Sequence, residues 1–374
     1  MTKRAYKERF YPTPEQAMLL AQSFGCTRFV WNNTLAYRNE AYQQRGEPVL
    51  HAAAEKRLVA LKADYPWLKD VSSVILQQTL RDQKVAFDNF FNPKLKARYP
   101  RFKRKDGRQS IRLTKAAYRY RDGEITIAKT TAPLPIRWSR ALPSAPSSIT
   151  ISRDRAGRYF ISCLCEFEPE TLPVTPKMVG IDLGLTDLFI TSEGMKSGNP
   201  RHLKRYEAKL AYLQRRLSKK QKGSRNRHKL RQKVARLHAR IADCRRDAIH
   251  KATRTLINEN QVLCVESLNI VGMLKNRSLA KAISDAGWGE FLRQLEYKAS
   301  WAGRQLVKVS QWLPSSKRCH GCGHQVEKLP LSRRHWHCEH CGQAIDRDIN
   351  AARNIRTAGL AGLACGATGA GAVA

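Results

Sequence analysis

The chain has 374 residues, with 68 Lys and Arg against 31 Asp and Glu, a formal net charge of +37 and a pI near 10.3. Hydrophobic residues make up 42% of it, too many for a disordered basic tail, and no apolar run reaches the roughly 18 residues of a membrane span. The charge calls for a polyanionic partner, and because Lys and Arg are dispersed among strand-like and helical segments we expect nucleic acid rather than a membrane surface.

The start, MTKRAYKERF, has no apolar signal-peptide core, so an intracellular protein of two or three packed units is expected. Lys3 to Tyr11 alternates as a first strand, and Pro12-Thr13-Pro14-Glu15 ends it before a helix with Thr13 as N-cap. Apolar residues at three- and four-residue spacing in EQAMLLAQSFGCTRFVWNNTLAYRNEAYQQ and SSVILQQTLRDQKVAFDNFF predict a helical insert over 13–91. Between Lys94 and Arg121 stand twelve basic residues and one acid, Asp106, interleaved with Tyr99, Phe102, Tyr118 and Tyr120. Basic side chains neutralise phosphates and aromatic rings offer stacking faces, which makes Lys103, Arg104 and Lys105 candidate nucleic-acid contacts; a solvated loop is the alternative. Short alternating strands follow in EITIAK, LPIRW, SSITISRD and RYFISCLCEF, with Asp154 to Gly157 as a hairpin turn. With the first strand they predict a small β-barrel, 1–12 and 92–170, interrupted by the helices.

Pro169, Pro173 and Pro176 punctuate a linker, after which the pattern becomes α/β. MVGIDLGL and DLFITS read as a strand hairpin and VLCVES as a later, buried strand. Between them, residues 201–254 hold twenty basic and three acidic side chains, so nearly half of the net charge sits in about a seventh of the length. Two stripes, Tyr206, Leu210, Leu213, Leu217 and Leu230, Val234, Leu237, Ile241, Cys244, flank Lys222-Gly223-Ser224 and predict an antiparallel helical hairpin over 201–257. One sign of charge prevails on it, a self-repulsion that a phosphate backbone would relieve, so Arg215, Arg216, Lys219, Lys220 and Arg227 join the candidate contacts. The Ala/Gly-rich end, 358–374, reads as a disordered tail.

Of ten cysteines, Cys26, Cys163, Cys165, Cys244, Cys264 and Cys365 are scattered and read as core or incidental residues. Cys319-x-x-Cys322 and Cys338-x-x-Cys341 have the spacing of a four-thiolate zinc site, with Gly321, Gly323 and Gly342 freeing the two tight turns. Five histidines, His320, His324, His335, His337 and His340, crowd the segment, but four sulfurs already complete a tetrahedron. A closed shell leaves no position for a reactant, so one structural zinc is expected, folding a ribbon over 314–342.

In a chain so poor in acids, carboxylates inside apolar strands are conspicuous. Asp182 sits in Val179-Gly180-Ile181-Asp182-Leu183-Gly184, and Glu266 closes Val262-Leu263-Cys264-Val265-Glu266. A lone buried carboxylate costs several kcal/mol or takes up a proton, so each implies a basic partner or a metal. A third acidic group, Asp346-Arg347-Asp348, lies where a helix begins. Three carboxylates converging from two strands and a helix start could hold two Mg²⁺ ions for phosphodiester hydrolysis.

GIDLG, CVESLNI with Leu274-Lys275-Asn276, WGEF with QLEYKA, PSSKRCHGCG and CGQAIDRDINAARNI, in this order, resemble the signature blocks of TnpB, the OrfB-type proteins of bacterial insertion sequences and relatives of compact type V CRISPR effectors. The resemblance runs from WNNTLAYRNEAY to Ile355. It implies an α/β multi-domain protein: a RuvC-like nuclease of RNase H fold over 177–313 and 343–357, an inserted zinc ribbon, and an N-terminal β-barrel wedge domain interrupted by a helical recognition insert. It further implies a guide RNA from the transposon end, a double-stranded DNA target and a bacterial, nucleoid-associated location, with base pairing supplying most of the discrimination. Asp182, Glu266 and Asp348 match the family's catalytic triad; Asp348 is preferred to Asp346 because the motif places its acid two residues before the Asn, here Asn350. Ser267 departs from the acid that many relatives carry after the Glu. The resemblance thus implies an RNA-guided, Mg²⁺-dependent DNA endonuclease, with a cleavage-inactive RNA-guided repressor and a transposase acting on its own ends as the other readings.

Overall fold

The computed structural model describes residues 2–330 and 332–365, which divide into two compact units after Glu168. In the first unit, β1 (Thr2–Phe10) turns Tyr6, Glu8 and Phe10 inward by strict alternation. Pro12 then ends it, and α1 (Pro14–Arg45) opens on a capping box: Gln16 N–H donates to the Thr13 hydroxyl at 3.3 Å and Thr13 N–H to the Gln16 amide oxygen at 3.1 Å. Gly46, at φ 69°, closes the helix in the left-handed conformation. Two further helices follow, α2 (His51–Asp64) and α3 (Ser73–Phe91). Sequence patterning had no signal for α2, which buries only Ala54, Leu58 and Leu61.

The remaining strands of this unit are β2 (Gln109–Thr114), β3 (Tyr118–Arg121), β4 (Glu124–Ile127), β5 (Ile136–Arg137), β6 (Ser148–Arg153) and β7 (Tyr159–Phe167). Five make an antiparallel sheet in the order β2-β6-β7-β1-β5, while β3 and β4 form a hairpin turned by Asp122 and Gly123, both at positive φ. Leu20, Leu76, Ile111, Ile149 and Ile161 belong to one hydrophobic cluster, so helices and sheet share a single core. The basic stretch after Lys94 is therefore not one loop. Its second half is β2, which alternates buried Ile111 and Leu113 with exposed Arg112, and β3.

The second unit is α/β. β8 (Met178–Leu183) and β9 (Phe189–Thr191) pair antiparallel, α4 (His202–Ser218) and α5 (Arg225–Glu259) intervene, and β10 (Val262–Glu266) then lies parallel to β8. α6 (Ile270–Met273), α7 (Ala280–Ala286) and α8 (Trp288–Ala302) lead to β11 (Gln305–Val309), parallel to β10. The sheet order is β11-β10-β8-β9, with an antiparallel bridge between Ile190 and Lys196 beyond its edge. This mixed sheet fits a RuvC-like, RNase H-type core. α4 and α5 form an antiparallel hairpin sealed by Leu210, Leu237 and Ile241, with Tyr206, Leu213 and Val234 against them, turned at Gly223 with φ 86°.

β12 (His335–His337) and β13 (Ala344–Asp346) pair antiparallel around Trp336 and Ile345. α9 (Arg347–Ala364) follows and crosses β8 and β10. It corrects the expectation of a disordered tail from 358: Gly359 is buried, where a Cβ would overlap the Cys264 sulfur, and Leu360 and Leu363 pack beside Val262 and Ile355. The rest of that predicted tail, 366–374, lies outside the described residues. No described helix is long and apolar enough to cross a membrane.

Candidate metal centres

Parallel pairing puts Val265 opposite Ile181, so Asp182 and Glu266 occupy the next positions, side by side at the carboxyl ends of neighbouring strands. α9 brings in the third acid. Gly180, two residues before Asp182, allows this: a Cβ there would overlap the Ala352 carbonyl oxygen and stand 2.7 Å from Arg356 N. Helix and strand thus touch backbone to backbone, and Asp348 in the first turn of α9 comes within electrostatic reach of Asp182.

The electrostatics report the convergence. Burial, then the charges of Glu266 and Asp348, push the Asp182 carboxyl up to about 8, against the pull of Arg347 and Arg334. Burial also raises Glu266, which accepts a hydrogen bond from the Ser315 hydroxyl at 2.6 Å that favours its charged form. Asp348 faces Arg334, whose Nη1 lies 2.8 and 3.2 Å from its two oxygens. Asp346 does something else: its side chain caps α9, accepting from the N–H groups of Asp348 and Ile349 at 3.0 and 3.1 Å, and it takes an ion pair from Lys196 at 2.7 Å. Burial pushes Asp346 up, but Lys196 and the helix N–H groups outweigh it and hold the carboxyl below its ordinary value. A buried acid raised further by two neighbouring carboxylates marks an oxygen-donor set short of positive charge, which a divalent cation would supply.

The four cysteines form a second centre. Their sulfurs all lie within 4.8 Å of one another, with Cys319 to Cys341 at 3.8 Å and Cys322 to Cys338 at 3.5 Å. Disulfides are far shorter, whereas Zn–S bonds of about 2.3 Å give a tetrahedral edge of about 3.8 Å. The N–H groups of Cys341 and His340 hold the Cys338 thiol below its ordinary range, while Cys322, which shares a hydrogen bond with it, is pushed up, so one proton is held between the two sulfurs. The sulfur set fits one structural zinc without any histidine; His324 and His340 stack on each other instead.

Sequence reasoning missed the residues that join the two centres. Ser315, which bonds Glu266, precedes the cysteine segment, and Arg334, which pairs with Asp348, lies between its two Cys-x-x-Cys pairs. Asn354 Nδ2 donates to the carbonyls of Ser315 and Arg318 at 2.8 and 2.7 Å, and Asn350 Nδ2 to Arg318 at 2.7 Å, so α9 grips the same segment. Ser315 and Asn350 lay inside recognised blocks without a role; nothing marked Arg334.

Of the candidate nucleic-acid contacts, Arg104, Lys105, Arg215, Arg216, Lys219 and Lys220 are exposed. Arg216 also donates to the Tyr212 hydroxyl at 3.1 Å, one turn away on α4, and two others are drawn into the fold. Lys103 is half-buried with Nζ 4.0 Å from the Trp31 ring centre, and Arg227 Nη1 donates to the carbonyls of Leu217 and Lys220 at 2.8 and 2.9 Å, closing the hairpin turn. A cleft of about 360 Å³ in the first unit gathers Arg28, Lys103, Arg104, Arg108 and Arg112 around Asp82.

Comparison with known proteins gives three family matches: OrfB_IS605, "Probable transposase", over 162–277; "Cas12f1-like, TNB domain" over 288–355; and "Helix-turn-helix domain" over 1–47. In the last of these the structure has a strand and one long helix, β1 and α1. A Streptomyces pristinaespiralis protein called "Putative RNA-guided DNA endonuclease" is 50% identical over 369 residues, spanning 97% of this chain and 91% of its own. The Escherichia coli K12 protein "Putative RNA-guided DNA endonuclease InsQ" is 33% identical over 382 residues, spanning 97% and 94%. With relatives this similar over nearly their whole length, the chain belongs to the TnpB family, the OrfB-type proteins of the IS605 group.

Proposed function

We propose that this protein is an RNA-guided DNA endonuclease whose Asp182, Glu266 and Asp348 hold divalent cations, two Mg²⁺ ions in the simplest reading. The observation that carries it is the placement of three carboxylates about one buried position, where burial first, and then the charges of Glu266 and Asp348, push Asp182 up to about 8. Bound cations would supply the activated water and steady the leaving oxygen. The chain's own part is to hold the acids: Ser315 orients Glu266, Asp346 fixes the start of α9 and so the reach of Asp348, and Arg334 supplies a positive charge beside Asp348.

The finer parts belong to the same proposal. The cysteine set binds a structural zinc and makes 314–342 a zinc ribbon; the first unit is a wedge domain with a β-barrel and a helical recognition insert; the guide comes from the transposon end. The names of the relatives support guide RNA and DNA as partners, and a net charge of +37 suits both.

The test uses the protein with the RNA that copurifies with it. Matched double-stranded DNA and Mg²⁺ should give cleavage that Asp182→Ala abolishes, with RNA binding unchanged. Equal cleavage by both proteins would overturn the assignment; binding with no scission by the unmodified protein would favour a repressor.

A further inference from the structure

Trp312 is the most exposed tryptophan of the chain, 83% accessible, and lies in the segment that joins β11 to the Glu266 partner Ser315. β10 and β11 pair with Glu266 opposite Val309, and Ser267 N–H donates to the Val309 carbonyl at 2.9 Å. The chain then leaves the sheet at Ser310 and returns at Ser315, whose hydroxyl is on Glu266. Trp312 is therefore three residues from each of two positions in contact with Glu266 or its strand, a reach of at most about 11 Å.

The loop is built, not loose. Trp312 N–H donates to the Ser310 hydroxyl at 3.3 Å, Leu313 N–H to the Ser310 carbonyl at 3.1 Å and Ser315 N–H to the Leu313 carbonyl at 2.7 Å. Leu313 packs inward on the cluster of Val262, Cys264, Val309 and Ile355, and Asn354 of α9 holds the Ser315 carbonyl. With Leu313 inward, its neighbour Trp312 is turned to solvent on a backbone fixed at both ends. The fold gains nothing from a large apolar ring there.

We propose that Trp312 is a base-stacking residue that holds a nucleotide of the substrate strand beside the acidic centre, within about three stacked nucleotides of the reacting phosphate. This rests on reading the three acids as a nuclease site. A flat aromatic face accepts any base, as an enzyme guided by base pairing to changing targets requires, and it fixes the strand without adding charge near the carboxylates. The stack would set which phosphodiester bond meets Glu266.

The test places 2-aminopurine in turn at each position around the cut site of matched DNA, bound to the RNA-loaded Asp182→Asn protein. One or two adjacent positions should show stacking quench that Asp182→Asn with Trp312→Ala loses and Asp182→Asn with Trp312→Phe keeps. With Asp182 intact, Trp312→Ala should cut about ten- to a hundredfold more slowly, with unchanged melting and zinc content, and Trp312→Phe should restore most of the rate. Identical fluorescence at every position with and without Trp312, or Asp182-dependent cleavage unaffected by Trp312→Ala, would overturn the stacking role alone. Trp312-dependent quench in a protein that cuts nothing would uphold it and overturn the nuclease reading.

Discussion

At the scale of single residues, the centre is set by an electrostatic conflict. Asp182 ionises near 4 in an unfolded chain, and in the fold burial, followed by the charges of Glu266 and Asp348, pushes it up to about 8. Between these values the folded protein binds a proton that the unfolded chain has lost, so the contribution of Asp182 to stability falls as pH rises from about 4 to about 8 and is fully unfavourable above that. Removing the charge should remove the penalty. Asp182→Asn is expected to melt a few degrees higher than the unmodified protein at pH 8.5 in magnesium-free buffer, with the difference shrinking towards pH 5. Mg²⁺ should reverse the order, because the cation favours ionised Asp182 and stabilises only the protein that retains it. Melting curves at several pH values, with and without Mg²⁺, check both; a difference independent of pH would mean that neither burial nor the neighbouring acids raise Asp182 in the folded protein.

At the scale of elements, the centre exists because α9 lies directly on β8. Gly180→Ala sets a methyl group against the Ala352 carbonyl and the Arg356 amide, both backbone atoms that no rotamer change can move. The helix has to shift, and Asp348 with it; we expect a loss of stability of roughly 2–4 kcal/mol and at least a hundredfold loss of cleavage. Gly362→Ala is the contrast. It lies in the same helix with nothing within 4 Å of its Cβ position, and should stabilise by roughly 0.5–1 kcal/mol with cleavage unchanged. Urea unfolding and single-turnover assays separate the two, and no change in stability on Gly362→Ala would mean that this end of α9 is not an ordered helix. Over 358–364 composition points to disorder where the chain is helical, because Ala and Gly let a helix approach a sheet closely, and here they do. Local signals were otherwise legible wherever one residue type decides the structure. Thr13 with Gln16 marked a helix start, the stripes Leu210 to Leu217 and Leu230 to Ile241 marked the hairpin, and two Cys-x-x-Cys pairs marked the sulfur centre. Asp182 and Glu266 stood out as acids in apolar strands. Arg334, Ser315 and the helix α2 did not, since each has its meaning from a long-range contact or from burial of very few apolar side chains.

At the scale of the whole molecule, the excess of positive charge is divided between side chains the fold uses and side chains it leaves in solvent. Arg227 ties the hairpin turn and Lys103 rests on Trp31, whereas Arg215, Arg216, Lys219 and Lys220 at the end of α4 stand exposed and close together. Such a cluster weakens the free protein by self-repulsion and is relieved by a phosphate backbone. Each phosphate neutralised contributes about 0.7 to 0.9 to the slope of log affinity against log salt concentration. Changing the four exposed residues to Gln, if each neutralises one phosphate, should therefore make the slope for copurifying RNA or target DNA shallower by about 3–3.5, with melting unchanged or slightly raised. Arg227→Gln should do the reverse: a melting loss from two released carbonyls at the turn, and little change in slope. Filter binding between 50 and 400 mM salt, about the range over which such contacts are read, measures the first, and thermal unfolding the second. An unchanged slope in the fourfold variant would move the nucleic-acid path away from the hairpin tip, leaving the cleft around Arg28, Arg108 and Arg112 in the first unit as the charged surface to change next.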